Sequence, residues 1–131
     1  MKTLIVDDDF ASRLLLQTVL SKYGECHIAT NGWEAVDAFR RGQENGSGYD
    51  LVCMDIMMPD MDGQSAVREI RALEAARGVG SRDQAKIVMA TALDDIKSVM
   101  ASFNELCDAY LVKPVDANQL LGQVQSFGLI S

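Results

Sequence analysis

Residues 51–55 read Leu51-Val52-Cys53-Met54-Asp55, an apolar run that ends in a single carboxylate. The run does not alternate polar and apolar residues, which is typical of a parallel strand covered on both faces. Three more runs end in polar groups: Leu4-Ile5-Val6 before Asp7, Ile87-Val88-Met89-Ala90 before Thr91, and Ala109-Tyr110-Leu111-Val112 before Lys113. Because the carboxyl ends of parallel strands share one sheet edge, we expect these groups to converge there.

Short apolar runs alternate with amphipathic stretches five times along the chain. The pattern predicts strands at about 3–7, 25–29, 50–54, 86–90 and 108–112, and helices at about 9–22, 33–41, 64–76, 94–104 and 116–127. Strands that alternate with helices favour right-handed crossovers and a parallel sheet with helices on both faces. The predicted fold is α/β, a doubly wound five-stranded parallel sheet with strand order 2-1-3-4-5, which is flavodoxin-like.

The composition excludes several classes of function. The chain has 131 residues, as one domain would, and a net charge of -7, which argues against a nucleic-acid surface or a polybasic membrane patch. A signal peptide and an apolar run long enough to span a bilayer are both lacking, so we expect a cytoplasmic protein. Cys26, Cys53 and Cys107 lack the spacing of a metal site and are read as reduced core residues.

Asp7, Asp8 and Asp55 are a candidate metal site. Three carboxylates at one edge repel one another, and a hard divalent cation removes that conflict. Oxygen ligands suit Mg²⁺ or Mn²⁺ rather than Zn²⁺. For Asp9 we favour helix capping over metal binding, because a helix N-terminus favours negative charge.

Lys113, Thr91 and Asp55 together predict phosphoryl transfer. A lysine and a hydroxyl can hold phosphoryl oxygens while the isolated acid, Asp55, attacks the phosphorus. Taken singly, Lys113 can also be explained as an ordinary solvated lysine, and Thr91 can also be explained as an ordinary strand residue. Pro114 stands where a cis peptide bond can hold the end of the last strand.

Four motifs carry a family resemblance: Asp7-Asp8, the run from Met54 to Gly63 around Asp55, Thr91-Ala92, and Tyr110-Leu111-Val112-Lys113-Pro114. Over essentially the whole chain they resemble the receiver domain of two-component response regulators. The resemblance implies a phosphorylation-activated switch in a two-component system or phosphorelay. Its phosphoryl donor would be a histidine kinase, a histidine phosphotransfer protein or a small acyl phosphate. We expect residues 1–131 to be a single receiver domain without an output domain.

The resemblance also assigns roles to residues. It implies Mg²⁺ held by Asp8, Asp55, the backbone carbonyl of Met57 and, through water, Asp7. It implies phosphoryl contacts from Lys113, Thr91 and the backbone of Ala92. On phosphorylation, Thr91 would move toward the phosphate and the ring of Tyr110 would turn inward. Such a domain is not an enzyme, since it catalyses only its own aspartyl phosphorylation and dephosphorylation.

We expect the protein to signal through contacts with a downstream protein target, without direct DNA binding or membrane contact. We expect it to be a monomer or a phosphorylation-dependent dimer. Phe10 and Leu14 are a candidate docking surface for the phosphoryl donor, although scattered surface apolar residues explain them equally well. Neither Met57 nor Leu93 can orient a water molecule, so we expect slow autodephosphorylation. Residues 104–108 lack the glycine that many receivers carry before the fifth strand, and the connections at 42–48 and 77–85 look long.

Two other functions remain open at this point. The first is a Mg²⁺-dependent phosphatase of the haloacid-dehalogenase type, but its Asp-x-Asp-x-Thr/Ser pattern is not met by Asp7-Asp8-Asp9-Phe10-Ala11. The second is a receiver-like interaction module that has lost its chemistry. The full set of Asp8, Asp55, Thr91 and Lys113 argues against it.

Overall fold

The computed structural model describes residues 1–58, 61–92, 97 and 106–131. In chain order the described elements are β1 (Thr3–Val6), α1 (Phe10–Leu20), β2 (Cys26–Ala29), α2 (Gly32–Glu44), β3 (Leu51–Asp55), α3 (Gly63–Ala76), β4 (Lys86–Thr91), β5 (Ala109–Val112) and α4 (Ala117–Ser126). A short 3₁₀ turn, Ser21–Tyr23, follows α1. The helix predicted at 94–104 lies outside the described residues.

The five strands form one parallel sheet in the order β2-β1-β3-β4-β5. This confirms the predicted α/β fold and its strand order. In the register of the sheet, Val6 of β1 lies beside Met54 of β3, and Asp55 lies beside Ala90 of β4. Asp7 therefore leaves β1 next to the end of β3, at the carboxyl edge of the sheet.

Helices cover both faces of the sheet. On one face α2 and α3 contribute buried side chains, among them Phe39, Val67 and Ile70. On the other face α1 and α4 contribute Leu16, Leu20, Leu120 and Val124. Burial on both sides explains why β1 and β3 are apolar without alternation. Cys53 and Cys107 are buried and unbridged, as predicted, while Cys26 is partly exposed.

The structure corrects the predicted bounds of α2. Gly42 was predicted in a loop but lies inside the helix. A Cβ at Gly42 would lie 3.0 Å from the carbonyl oxygen of Ser47, so the missing side chain lets the following loop fold back. Gly32, predicted in the preceding turn, is the first residue of α2. Asn31 caps this helix, because its side chain accepts a hydrogen bond from the Glu34 N–H at 2.9 Å.

The other bounds differ from prediction by a residue or two, as helix and strand ends often do. Asp55 and Thr91 lie within β3 and β4 rather than after them. The first helix ends at Leu20 and passes into the 3₁₀ turn. Asp9 and Asp116 cap α1 and α4 as predicted, each with a side-chain oxygen accepting a backbone N–H.

A partly buried ion network ties α3 to the amino edge of the sheet. The guanidinium of Arg71 donates to Glu74 at 2.6 Å and to Asp108 at 3.1 Å. It also donates to the backbone carbonyls of Ala85 and Leu106, both at 2.9 Å. Arg71 thus holds Leu106 and Asp108, the described residues that lie shortly before β5.

Candidate functional site

Asp7, Asp8 and Asp55 converge at the carboxyl edge of the sheet, as predicted. One carboxylate oxygen of each lies within 4.8 Å of those of the other two. Asp7 and Asp55 are 1% and 5% exposed, whereas Asp8 faces solvent. The Asp7 side chain is held in place by the Asp9 N–H, which donates to its Oδ1 at 2.9 Å. Two buried acids and one exposed acid therefore surround a single point.

Lys113 bridges the two buried acids. Its Nζ lies 3.1 Å from Oδ2 of Asp7 and 3.0 Å from Oδ1 of Asp55. Its backbone N–H donates to the Thr91 carbonyl at 2.8 Å, and the peptide bond to Pro114 is cis. Partial burial alone lowers the pKa of Lys113, but hydrogen bonds and charge from the two acids outweigh it, so the pKa is raised. The lysine is therefore held protonated in the site.

Asp55 carries the clearest electrostatic signature of the site. Burial raises the pKa of Asp55 to about 6, the Asp7 charge adds to the rise, and Lys113 and the Met57 N–H oppose it. The Met57 N–H donates to Oδ1 of Asp55 at 3.3 Å. One lysine thus offsets the negative charge incompletely, and a cation or a proton stabilises the cluster further.

Thr91 places a hydroxyl group at the same edge. The residue is 1% exposed, and its Oγ1 has no hydrogen-bond partner among the described residues. A buried hydroxyl without a partner costs about 1–3 kcal/mol, and a ligand that accepts a hydrogen bond from it would relieve that cost. Ala92 follows directly and is exposed.

Tyr110 packs on the face of the sheet that α2 and α3 cover. The residue is partly buried against that core, and its hydroxyl oxygen is buried. Burial, with a smaller effect of Cys107, raises the pKa of Tyr110 to about 12. The phenol therefore stays neutral.

The donor set fits Mg²⁺. All three side chains that meet at the site offer carboxylate oxygens, which hard cations prefer. A cation beside Asp55 would offset the effect of burial, which raises its pKa. An oxyanion would accept a hydrogen bond from the Thr91 hydroxyl, which has no partner in the described part of the chain. The geometry suits a divalent metal together with a phosphoryl group.

Two residues that support the site were not singled out from the sequence. Gly63 begins α3 so close to β3 that a Cβ would lie 2.1 Å from the Asp55 carbonyl oxygen. The glycine in the motif around Asp55 was the available signal. Arg13 reaches back from α1 and donates from Nη1 to the backbone carbonyl of Asp7 at 3.1 Å. No sequence pattern pointed to this contact, because it depends on how α1 packs.

Large apolar side chains are exposed on α1 and directly after β3. Phe10 and Leu14 are 68% and 51% exposed, and Met57 is 69% exposed. A cleft of about 270 Å³ runs between α1 and the segment after β5, lined by residues that include Leu15, Pro114 and Val115. Exposed apolar groups of this kind often mark contact surfaces.

Comparison with known proteins identifies the family. A family model described as the response regulator receiver domain matches residues 3–125. The chain is 33% identical to chemotaxis protein CheY of Bacillus subtilis over 92% of its own length and 91% of that protein. It is 36% identical to sensor protein GacS of Pseudomonas syringae over 91% of its own length, but spans 12% of that protein.

Comparison with solved structures points to the same family. A complex of the Saccharomyces cerevisiae phosphotransfer protein Ypd1 with the receiver domain of its response regulator Ssk1 contains a chain similar to this one. The TM-score is 0.83 at 28% identity, over 98% of this chain and 88% of that one. None of the helices that the structure describes has the length and apolar character needed to cross a lipid bilayer.

Proposed function

The chain belongs to the family of response regulator receiver domains, phosphorylation-activated switches of two-component systems, and we propose that Asp55 is its phosphoacceptor. Receiver domains are signalling switches rather than enzymes that turn over a separate substrate. The main support is the buried Asp55 carboxylate, held 3.0 Å from Lys113 and clustered with Asp7 and Asp8. The complete set of groups argues against a receiver that has lost its chemistry.

The proposed reaction is one in-line displacement. A carboxylate oxygen of Asp55 attacks the phosphorus of a phosphohistidine, and the bond from phosphorus to the imidazole nitrogen breaks. The bonding electrons stay on that nitrogen, and Asp55 becomes an aspartyl phosphate. Lys113, at 3.0 Å from the attacking carboxylate, is close enough to pair with the phosphoryl oxygens that arrive there. A small acyl phosphate would react in the same way, with a carboxylate as the leaving group.

We propose Asp7, Asp8, Asp55 and the backbone carbonyl of Met57 as the residues that hold Mg²⁺, with Asp7 acting through water. Receiver domains bind Mg²⁺ at an acidic pocket, and this chain has such a cluster. When bound, the metal ion would neutralise negative charge on the carboxylates and on the phosphoryl oxygens. Mn²⁺ has similar ligand preferences and serves as a probe.

The proposed switch consists of Thr91 and Tyr110. The Thr91 hydroxyl, which has no partner among the described residues, would donate to a phosphoryl oxygen, and the Ala92 backbone would contact the same group. Tyr110 pairs with Met89 in the register of β4 and β5, so a shift at the end of β4 reaches it through the sheet. The charge of the new phosphoryl group would thereby shift the conformation of a surface far larger than the site.

The proposed phosphoryl donor is a histidine kinase or a histidine phosphotransfer protein that docks on α1 at the exposed apolar residues Phe10 and Leu14. The relatives support this, since one is a sensor protein and one solved structure holds a receiver domain with a phosphotransfer protein. A downstream protein target, the absence of DNA binding, the oligomeric state and a cytoplasmic location stay predictions. The assignment of 1–131 as one receiver domain also stays a prediction.

Chemical trapping would map the phosphoacceptor. After treatment with acetyl phosphate and Mg²⁺, borohydride reduces an aspartyl phosphate to homoserine, which peptide mass spectrometry locates. We expect homoserine at Asp55 and unmodified Asp7, Asp8 and Asp9. Homoserine at one of the latter three would contradict the assignment.

A further inference from the structure

Arg13 lies beside the acidic cluster but has no part in the proposed reaction. It stands one turn into α1, where its Nη1 donates to the Asp7 backbone carbonyl at 3.1 Å. Its guanidinium carbon lies 5.7 Å from the centroid of the Phe10 ring. Within the described part of the chain, the bond to Asp7 is the one hydrogen bond that this guanidinium makes.

The carbonyl that Arg13 holds belongs to the peptide unit joining Asp7 to Asp8. Because that unit is planar, fixing its oxygen also fixes the direction in which the chain enters Asp8. The other two acids of the run are held by other contacts: Asp7 by Lys113 and the Asp9 N–H, and Asp9 by its cap on Ser12. The exposed Asp8 side chain makes no hydrogen bond or ion pair with any described residue. Its placement therefore depends on its backbone.

We propose that Arg13 is a positioning residue for the metal ligands, which orients the Asp7–Asp8 peptide so that both carboxylates face the point shared with Asp55. This inference rests on the proposed function, because it assumes that the acids bind a metal. Groups that hold a ligand in place contribute to metal affinity without touching the metal.

The charge of Arg13 acts in the opposite direction. A guanidinium near a cation site repels the cation, so electrostatics alone predicts that removing Arg13 strengthens metal binding. Positioning predicts that removing it weakens binding. The sign of the change in affinity therefore separates the two roles.

The experiment measures Mn²⁺ affinity on the whole chain by electron paramagnetic resonance of the free ion. We expect Arg13→Met to weaken binding about tenfold, as loss of a ligand-orienting group typically does. Arg13→Lys keeps a donor and should recover part of the affinity. The matched control is Arg41→Met, which removes the same charge from α2, where Arg41 pairs with Asp37. It should bind as the parent does.

A second readout uses phosphorylation by acetyl phosphate. For Arg13→Met we expect the Mg²⁺ concentration at half-maximal rate to rise about tenfold with the maximal rate unchanged. Circular dichroism checks that each variant folds, and Arg13→Gln replaces Arg13→Met if the latter does not.

Unchanged or tighter Mn²⁺ binding by the Arg13→Met variant would overturn the positioning role. So would an Arg13→Lys variant that binds no better than Arg13→Met. Failure of the parent to bind Mn²⁺, or parental affinity in Asp8→Asn, would instead contradict the proposed metal site itself.

Discussion

The Asp55 carboxylate lies where burial and the charge of Asp7 disfavour ionisation, which raises its pKa to about 6. In the unfolded chain an aspartate has a pKa of about 3.9. The folded state thus binds the proton of Asp55 more tightly than the unfolded chain does. The resulting stabilisation of the folded state is complete below the unfolded pKa and is lost as the pH rises through about 6.

Asp55→Asn, which carries no charge, should therefore be more stable than the parent in chelator near neutral pH, by about 1–3 kcal/mol. The difference should shrink as the pH falls toward about 4, where the parent carboxyl is protonated. Urea denaturation at several pH values measures it. A stability difference that does not vary with pH would contradict the raised pKa.

We expect the Met57 side chain to influence how long the proposed aspartyl phosphate lasts. The residue is 69% exposed, and its N–H donates to Oδ1 of Asp55 at 3.3 Å, so Met57 lies directly beside the phosphoacceptor. A thioether hardly binds water, whereas an amide both donates and accepts hydrogen bonds. We expect slow phosphate loss in the parent and, in Met57→Asn, a rate higher by about tenfold or more. Decay of the phosphorylated mass gives both rates, with Met57→Leu as control. Rapid phosphate loss from the parent would refute the expectation. Leu93, which was expected to flank the phosphoryl site together with Met57, lies outside the described residues.

Much of the site could be predicted because each chemical group directly ends a strand. Asp7, Asp55, Thr91 and Lys113 are delivered to one edge by parallel strand order alone. Arg13 could not be found this way, since its contact with Asp7 depends on the angle at which α1 packs. The polar group at the end of each strand can be read directly from the sequence, whereas the reach of a helix side chain depends on how that helix packs.

The junction of β3 and α3 depends on Gly63. A Cβ there would lie 2.1 Å from the Asp55 carbonyl oxygen, so any side chain displaces the strand end that carries Asp55. We expect Gly63→Ala to lower stability by about 1–3 kcal/mol and to slow phosphorylation. Gly122→Ala is the matched control, because Gly122 lies inside α4 and a Cβ there would meet no described atom within 4 Å. It should be neutral or stabilising, since alanine favours a helix over glycine. Equal effects of the two changes, by urea denaturation, would contradict this account.

The Arg71 network fastens α3 to β4 and β5. Glu74 is 2% exposed and accepts from Arg71 and from the Ala85 N–H at 2.6 and 2.8 Å. Arg71→Met would leave that carboxylate buried without its cation, at a cost of about 3 kcal/mol. Arg40→Met, which breaks exposed pairs on α2, should cost no more than about 0.5 kcal/mol. Thermal or urea unfolding compares them, and a similar loss in both would show that the network contributes little.

Helix and strand positions were predicted well where patterns were strong. The end of α2 was not, because Gly42 reads as a loop signal although its role is to admit the Ser47 carbonyl. The Arg71 network was also missed, since it joins residues from three separate segments. Both errors concern tertiary contacts that local propensity does not encode.

In the molecule as a whole, the two edges of the sheet carry different sets of polar groups. The acids, Lys113 and the Thr91 hydroxyl occupy the carboxyl edge, whereas the Arg71 network closes the amino edge. Changes at Lys113 or Asp8 should affect chemistry first, and changes at Arg71 stability first.

The intact mass after incubation with acetyl phosphate and Mg²⁺, for the parent and for Asp55→Asn, tests the proposal that Asp55 accepts a phosphoryl group most directly. The account predicts that the parent gains the mass of one phosphoryl group, that chelator abolishes the gain, and that Asp55→Asn gains none. Phosphorylation of a folded Asp55→Asn variant to the same extent as the parent, or a gain unaffected by chelator, would contradict it.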